Sequence, residues 1–510
     1  MHKRGSMVRL LAGACTGLML AVASPAHAAA PSVTGTPACH PDPEAGGSFS
    51  DLDGDGEADT VVGMPGYDAH AGAIDVRGSK GPARVITATM VGGGRNAAFG
   101  TAIAMGDLDR DGCADLVVSA PGRKDVGRVY VLFGGVGGID TAHILTLPRG
   151  AGASSGFGQA LALERRGEGR SMVHDLYVGA PNATVRGQQG AGQVYRYTLR
   201  PDRAKRVVAT LGFVRDQDSP GVPGVSEKGD HFGAVLAAAW NGVLVGAPDE
   251  SVGSARGAGA VWFLGVDRNG APAQTQSWTQ DSPGVPGGAE AGDHFGASLY
   301  SGGWTTLIGI PDEDEGDKRD SGMVQVLHRS QYSKGFQPGP AITQDSPGVP
   351  DVSEAGDRFG AAVAVGADLF CRESSDSAIG APGEDVGQVQ DAGTVTLIAD
   401  ADACPARVVR QGAGLDEEAE AGDQVGGVLR IAVAGNPDVD EGYADRLLIG
   451  VPSEDVGGVA EAGLVQPLVD TLQPLRSRIL VDGGSVPFLT YSGDASGLAG
   501  YGSVLSSPSR

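Results

Sequence analysis

A box of two aliphatic or aromatic residues, then Gly or Ser, any residue and Pro returns seven times along this chain, and such a repeat restricts the possible folds more than any other feature of the sequence. The copies are VVGMP at 61–65, VVSAP at 117–121, YVGAP at 177–181, LVGAP at 244–248, LIGIP at 307–311, AIGAP at 378–382 and LIGVP at 448–452. An aromatic-Gly pair precedes five of them: Phe99-Gly100, Phe157-Gly158, Phe232-Gly233, Phe295-Gly296 and Phe359-Gly360. Val425-Gly426 takes that place before the seventh copy. The first copy has no such pair, while one stands unused near the end of the chain, Tyr501-Gly502.

Each unit reads as short strands separated by turns. FGTAIAMG alternates as a half-buried strand does, DLVVSAP is a continuous buried run, GRVYVLFG is a third strand and HILTLP a fourth. Glycine and proline at the junctions supply turns that helices would not tolerate, and no segment outside the N-terminal stretch has helical periodicity. Four strands per unit in seven units predict an all-β chain folded as a seven-bladed β-propeller. A long β-solenoid is the alternative, but a displaced half-repeat suits a closed ring better. The approximate repeats are 43–98, 99–156, 157–231, 232–294, 295–358, 359–424 and 425–500. Residues 501–510 are expected to supply the missing strand of blade 1 and close the ring, which removes exposed strand edges.

Two repeats carry an acidic loop directly before the buried run. Residues 51–59 read DLDGDGEAD and residues 107–115 read DLDRDGCAD. Asp51, Asp53, Asp55, Glu57 and Asp59 would repel one another in water, so a compact loop requires something to offset the repulsion. Calcium takes six to eight oxygen ligands, and alternate aspartates in a tight loop can point inward together. The second copy aligns Asp107, Asp109, Asp111 and Asp115, with Cys113 between. An EF-hand begins similarly but needs a glutamate at position twelve, where this chain has Val62 and Val118 inside strands. The expected arrangement is therefore a hairpin loop clamping Ca2+. In repeat 7, Asn436, Asp438, Asp440 and Asp445 nearly fit the pattern with one residue too many, and repeats 3 to 6 have lost it.

The aromatic-Gly and Gly-x-Pro spacing with a DxDxDGxxD loop between resembles the FG-GAP repeat of the integrin α-subunit propeller and of secreted bacterial relatives. The resemblance covers nearly all of the chain after its N-terminal stretch. It implies that loop positions 1, 3, 5 and 9 give side-chain ligands and position 7 a backbone carbonyl, which falls on Glu57 and Cys113. It also implies a partner-binding role for the face opposite the metal loops.

The chain has 510 residues and a formal charge of -24, which argues against binding nucleic acid or anionic lipid through bulk charge. Lys3, Arg4 and Arg9 lead into the apolar run LLAGACTGLMLAVA and the small-residue site AHA, so residues 1–28 read as a secretory signal peptide and 29–510 as one propeller domain. Cys15 lies within the apolar run. No second run is long enough to span a bilayer. Cys39, Cys113, Cys371 and Cys404 remain, an even number that in an exported protein predicts two disulfides with three possible connectivities. The pairs Cys39–Cys113 and Cys371–Cys404 are preferred because each keeps its bridge between neighbouring repeats.

A second acidic feature recurs between repeats. RDQDSPGVPGVSEKGDHFG (215–233), TQDSPGVPGGAEAGDHFG (279–296) and TQDSPGVPDVSEAGDRFG (343–360) are near copies, with EEAEAGDQVG (417–426) a shorter relic. In an up-and-down sheet these connectors share one face with the second turn of each blade, and the metal loops lie on the other. Loops on a rigid scaffold are where recognition usually resides, but near identity between blades also suits solubilising spacers with a hydrogen-bonding role.

No catalytic residues are expected. His231 and His294 fill a slot that repeat 6 gives to Arg358, and no Ser/His/Asp set or zinc-type cluster stands out. The reading is a secreted, calcium-binding, non-catalytic module for an extracellular protein or glycan, monomeric, with no nucleic-acid partner and no membrane insertion. A structural cell-surface protein without a single ligand, or a propeller hydrolase or lyase acting on polysaccharide, are the alternatives.

Overall fold

The reason for the repeated glycines is visible where one blade meets the next. A Cβ on Gly179, in the box of blade 3, would stand 2.1 Å from the carbonyl oxygen of Gly233. The same encounter recurs at 2.0 Å between Gly309 and Gly360 and between Gly380 and Gly426. The box glycine of one blade thus packs against the aromatic-Gly pair that opens the next. The aromatic itself is fully buried in each copy, and its backbone forms a parallel bridge to the preceding blade, as in Gly192–Phe232, Gly259–Phe295 and Gly322–Phe359.

The structure is a computed structural model that describes Cys39 and residues 50–55, 58–78, 83–122, 127–147, 156–167, 171–302, 304–330, 335–371, 374–400, 404–432, 445–454, 463–468 and 507–508. The expected signal peptide, Glu57, Asn436, Asp438, Asp440 and Tyr501-Gly502 lie outside the described residues.

Seven sheets follow one another in chain order and form a seven-bladed β-propeller, antiparallel except for two-residue parallel additions at Gly414–Leu415 and Ser507–Pro508. Blades 2 to 6 each run as a four-stranded meander, such as Val235–Ala239, Gly242–Ala247, Ala260–Val266 and Pro272–Trp278 in blade 4. Blade 1 has three described strands, Thr60–Met64, Ala73–Arg77 and Arg84–Thr87, and blade 7 has Val428–Ala432, Arg446–Val451 and Leu464–Leu468. Helical structure is sparse among the described residues: a 3-10 turn lies at Ala88–Val91, and the turn at Tyr67–His70 has left-handed backbone at Asp68, Ala69 and His70.

The hydrophobic core lies between blades and not within any one of them. Phe99, Leu116 and Tyr130 of blade 2 pack on Val61 and Ile74 of blade 1, and Leu429 and Ile449 of blade 7 pack on Val395 and Leu397 of blade 6. The ring closes on apolar contact too, because Val62 of blade 1 clusters with Val428, Leu448 and Val465 of blade 7. No blade could bury its faces alone, which is why the repeat is obligatory.

The chain end takes part in the ring. Ser507–Pro508 lies between the innermost strands of blades 7 and 2, the slot that the described strands of blade 1 leave open. It pairs in parallel with Ala104 and Met105 of blade 2. Among the described residues, no pairing joins it to blade 1, whose completion by 501–510 was the expectation. Of the expected strand YGSVLSS only Ser507 lies among the described residues, and it pairs with blade 2.

Candidate metal centres

Blade 2 turns from its first strand, Ile103–Gly106, to its second, Asp115–Ala120, through the acidic loop. Asp107, Asp109 and Asp115 bring carboxylate oxygens to within 4.8 Å of one another. Backbone amides hold them there. Leu108 N–H donates to Asp115 Oδ2 at 2.7 Å, and Gly134 N–H to Asp115 Oδ1 at 3.0 Å. The Asp111 amide donates to Asp107 at 3.1 Å and to Asp109 at 3.0 Å, while Gly112 N–H reaches Asp107 at 3.2 Å. Loss of solvent, then repulsion from Asp111, pushes Asp107 and Asp109 up to about 6. Burial holds Asp115 well above the usual carboxylate range.

The loop before blade 1 repeats this geometry. Asp51, Asp53 and Asp59 form a second three-aspartate group within 4.8 Å. Leu52 N–H donates to Asp59 Oδ2 at 2.7 Å, matching the Leu108–Asp115 bond in partner and length. Asp51 Oδ1 accepts from Gly54 at 2.6 Å and Asp55 at 3.2 Å. Burial pushes Asp59 up to about 7, and the charges of Asp53, Asp51 and Asp55 add to the rise. Asp59 is 2% exposed and its Oδ1 has no hydrogen-bond partner among the described residues. A buried carboxylate oxygen without a partner is costly, and a divalent cation bound by hard oxygen donors would satisfy it. The residues present fit such an ion.

The fifth loop positions, Asp55 and Asp111, stand outside these two groups. Asp111 lies instead beside Cys39 and Cys113, and accepts the Cys113 amide at 2.9 Å. Those cysteines are joined in a disulfide, as are Cys371 and Cys404; both pairs are the preferred ones, although the second bridge lies within blade 6 and not between neighbouring repeats. The first disulfide braces both loops. A Cβ on Gly54 would stand 3.0 Å from Cys39 Sγ, Ala114 N–H donates to the Asp51 carbonyl at 2.7 Å, and Gly135 N–H to that of Leu52 at 3.0 Å.

The blades without the motif solve the same position differently. Asp59, Asp115, Asp175 and Asp376 each stand six residues before the box proline. In blade 3, Asp175 is fully buried and takes two guanidinium groups: Arg166 at 2.5 Å and Arg196 at 2.7 Å, with the Thr198 hydroxyl at 3.0 Å. The same arginines reach into blade 4, donating to the carbonyls of Arg268 at 2.7 Å and Gly270 at 2.9 Å. In blade 6, Asp376 accepts from the Phe370 amide at 2.9 Å and Cys371 at 3.1 Å. Blade 4 closes the turn with Trp240 and Asn241, the latter at φ 57. In blade 7, Asp445 is the described member of the degenerate set, and it ties blade 6 to blade 7 through the Ala367 amide at 2.8 Å. The arginine substitution escaped the sequence reading, although the fixed distance of Asp175 from its box proline was a signal for it.

The opposite face carries the long connectors, and they are built into the structure. Gln217, Gln280, Gln344 and Gln411 are each at most 3% exposed. Each donates through Nε2 to a glutamate of the next blade, with Gln217–Glu250 at 2.7 Å, Gln280–Glu313 at 2.5 Å and Gln344–Glu384 at 2.6 Å, and Gln411 bonding Glu454 likewise. Burial pushes Glu250 and Glu384 up to about 8, and Glu313 and Glu454 up to about 7. The histidines before the aromatic-Gly pairs are paired too: His231 to Asp249 and His294 to Asp312, both at 2.7 Å, with Arg358 on Asp312 at 2.6 Å.

A model of the FG-GAP repeat family matches residues 99–132. Integrin alpha-IIb of Homo sapiens is 33% identical over 174 residues, covering 30% of this chain and 15% of that protein. Integrin alpha-PS2 of Drosophila melanogaster is 34% identical over 165 residues, covering 30% of this chain and 11% of its own. Integrin alpha-IIb of Mus musculus is 32% identical over 170 residues, with 30% and 15% covered. The matched stretch is thus a small part of each relative's length.

Proposed function

This chain is an integrin alpha-like FG-GAP repeat propeller, and from that premise we propose that it is an exported, calcium-binding recognition module that binds an extracellular protein or glycan and catalyses no reaction. The observation that carries the reading is the pair of matched loops, in which Asp51, Asp53 and Asp59, and again Asp107, Asp109 and Asp115, converge their carboxylate oxygens. Aspartate side chains and loop carbonyls, joined by Asp55, Asp111 and the carbonyls of Glu57 and Cys113, are the donor set that calcium takes. When bound, the ion supplies the positive charge that lets these carboxylates stay ionised while buried. Its place in the fold is structural, because one loop joins the first two strands of blade 2, the other leads into the first described strand of blade 1, and neither carries a nucleophile or base beside the carboxylates.

Export is supported by the two disulfides, which persist in oxidising compartments, and by the expected leader at 1–28. Among the described residues no helix is long and apolar enough to cross a membrane. Isothermal titration of the purified protein with calcium, followed by affinity capture from a native secretome with calcium or with EDTA, tests the reading. Calcium binding lost in Asp53→Ala with Asp109→Ala, and a partner captured only with calcium, are the expected results. Absence of calcium binding, or turnover of a polysaccharide panel by the protein, would overturn it.

A further inference from the structure

Two of the four tryptophans of this chain are buried, Trp262 and Trp278 at 3% and 5% exposure. The other two are not. Trp240 is 65% exposed and Trp304 56%. They occupy equivalent places, the turn between the first and second strands of blades 4 and 5, on the face where blades 1 and 2 carry their acidic loops. Between them lies Arg329, the last residue of the third strand of blade 5. Its guanidinium carbon sits 4.2 Å from the Trp240 ring centre and 4.9 Å from that of Trp304. The Arg329 amide also donates to the Trp304 carbonyl at 2.8 Å, which fixes the backbone of the pair.

Exposed indoles are uncommon, and here two meet one guanidinium across their ring faces, which leaves the remaining indole surface and the guanidinium edge open to solvent. The chain has 62 acidic residues against 38 lysines and arginines, so carboxylates abound. None pairs with Arg329 among the described residues. Its planar N–H donors suit a carboxylate bidentately, and no described residue of the chain supplies one. The indole faces suit the flat C–H faces of sugar rings, which a rigid aromatic surface holds at little entropic cost.

We propose that Trp240, Arg329 and Trp304 form a binding site for a carboxylated polysaccharide, with sugar rings stacked on the indoles and a uronate carboxylate on the guanidinium. The assignment rests on the binding-module reading and names its ligand class. It also puts the ligand on the face of the acidic loops, opposite the connectors.

Trigalacturonate, too short to form calcium-linked gels, is the probe, followed by tryptophan fluorescence and calorimetry on the full chain. Binding should change the emission of the exposed indoles. Trp240→Ala and Trp304→Ala should each weaken it at least tenfold. Arg329→Gln should weaken the acid at least tenfold and leave the weaker binding of its methyl ester unchanged. All three side chains project from turns or a strand end, and unchanged melting curves will show that the fold persists. No binding of trigalacturonate, or equal binding by the variants, would overturn the proposal. So would a dimer that Trp304→Ala dissolves, since the patch would then be a self-association surface. Calcium-dependent capture of another partner, equal in the parent and in Arg329→Gln, would leave the module reading standing and this one overturned.

Discussion

Arg166 donates through Nε to Asp175 at 2.5 Å, in the position where blades 1 and 2 place Asp59 and Asp115 in their three-aspartate groups. The buried aspartate at the start of the second strand is thus a fixture of several blades, and its countercharge differs. In blade 3 the countercharge is covalently attached. Asp175→Ala would leave Arg166 and Arg196 buried without it, at 8% and 3% side-chain exposure. Removing one partner of a buried ion pair costs about 3–5 kcal/mol. Urea denaturation should show a loss of this order, and the same loss in EDTA as in calcium. A loss that calcium alters would mean that blade 3 is coupled to the metal loops.

The acidic loops predict the opposite behaviour. The melting temperature should rise when calcium is added, since each loop concentrates buried carboxylates whose mutual repulsion a bound cation would relieve. At a hundredfold excess over the dissociation constant each site contributes about 2.7 kcal/mol. Asp53→Ala combined with Asp109→Ala should abolish the rise. Thermal melts in EDTA and in calcium measure both, and a rise that survives the double substitution would rule out these loops as its source.

Much of this was legible in the sequence because the repeat writes its own constraints. The box glycines are set by backbone approach between blades, and the buried phenylalanines by the gap beside them, so both recur at fixed spacing. The pattern Asp107-x-Asp109 was legible for a similar reason, as consecutive odd positions of a tight loop converge. The Asp175–Arg166–Arg196 network was not, because its members are brought together by strand pairing and each arginine alone reads as a surface residue. The role of the connectors was half legible. Their identity pointed to a structural task, but Gln344 finding Glu384 across 40 residues depends on how consecutive blades dock. The Trp240–Arg329–Trp304 stack was hidden for the same reason.

The four connector pairs predict a pH dependence. Burial, with repulsion from Asp230 and Glu227 around Glu250, and from Asp351, Asp357 and Glu354 around Glu384, raises these glutamates from 4.5 to about 8. The folded protein therefore keeps protons that the unfolded chain releases above about 4.5. The stability these groups confer is full below that pH and is lost as pH rises to about 8. Glu384→Gln, uncharged at every pH, should fall less steeply than the parent in melts between pH 5 and 8 (about the span of the shift). Equal slopes would show that Glu384 is ionised in the folded state.

The last prediction concerns the disulfide between Cys39 and Cys113. It joins the segment before the first acidic loop to position 7 of the second, across 74 residues. Gly54 of one loop packs on Cys39, and the Asp51 and Leu52 carbonyls bond to Ala114 and Gly135 of blade 2. The two loops consequently form one braced unit, and loosening the brace should disturb both sites. Cys39→Ser with Cys113→Ser should weaken calcium binding at both loops and reduce the calcium-dependent rise in melting temperature. Cys371→Ser with Cys404→Ser removes a crosslink confined to blade 6, where Asp376 is held by backbone amides, and should lower stability without changing calcium affinity. Calorimetric titration of the two double variants separates these outcomes. Equal calcium affinity in both would mean that each loop holds its geometry unaided, through the amide bonds to Asp59 and Asp115 alone.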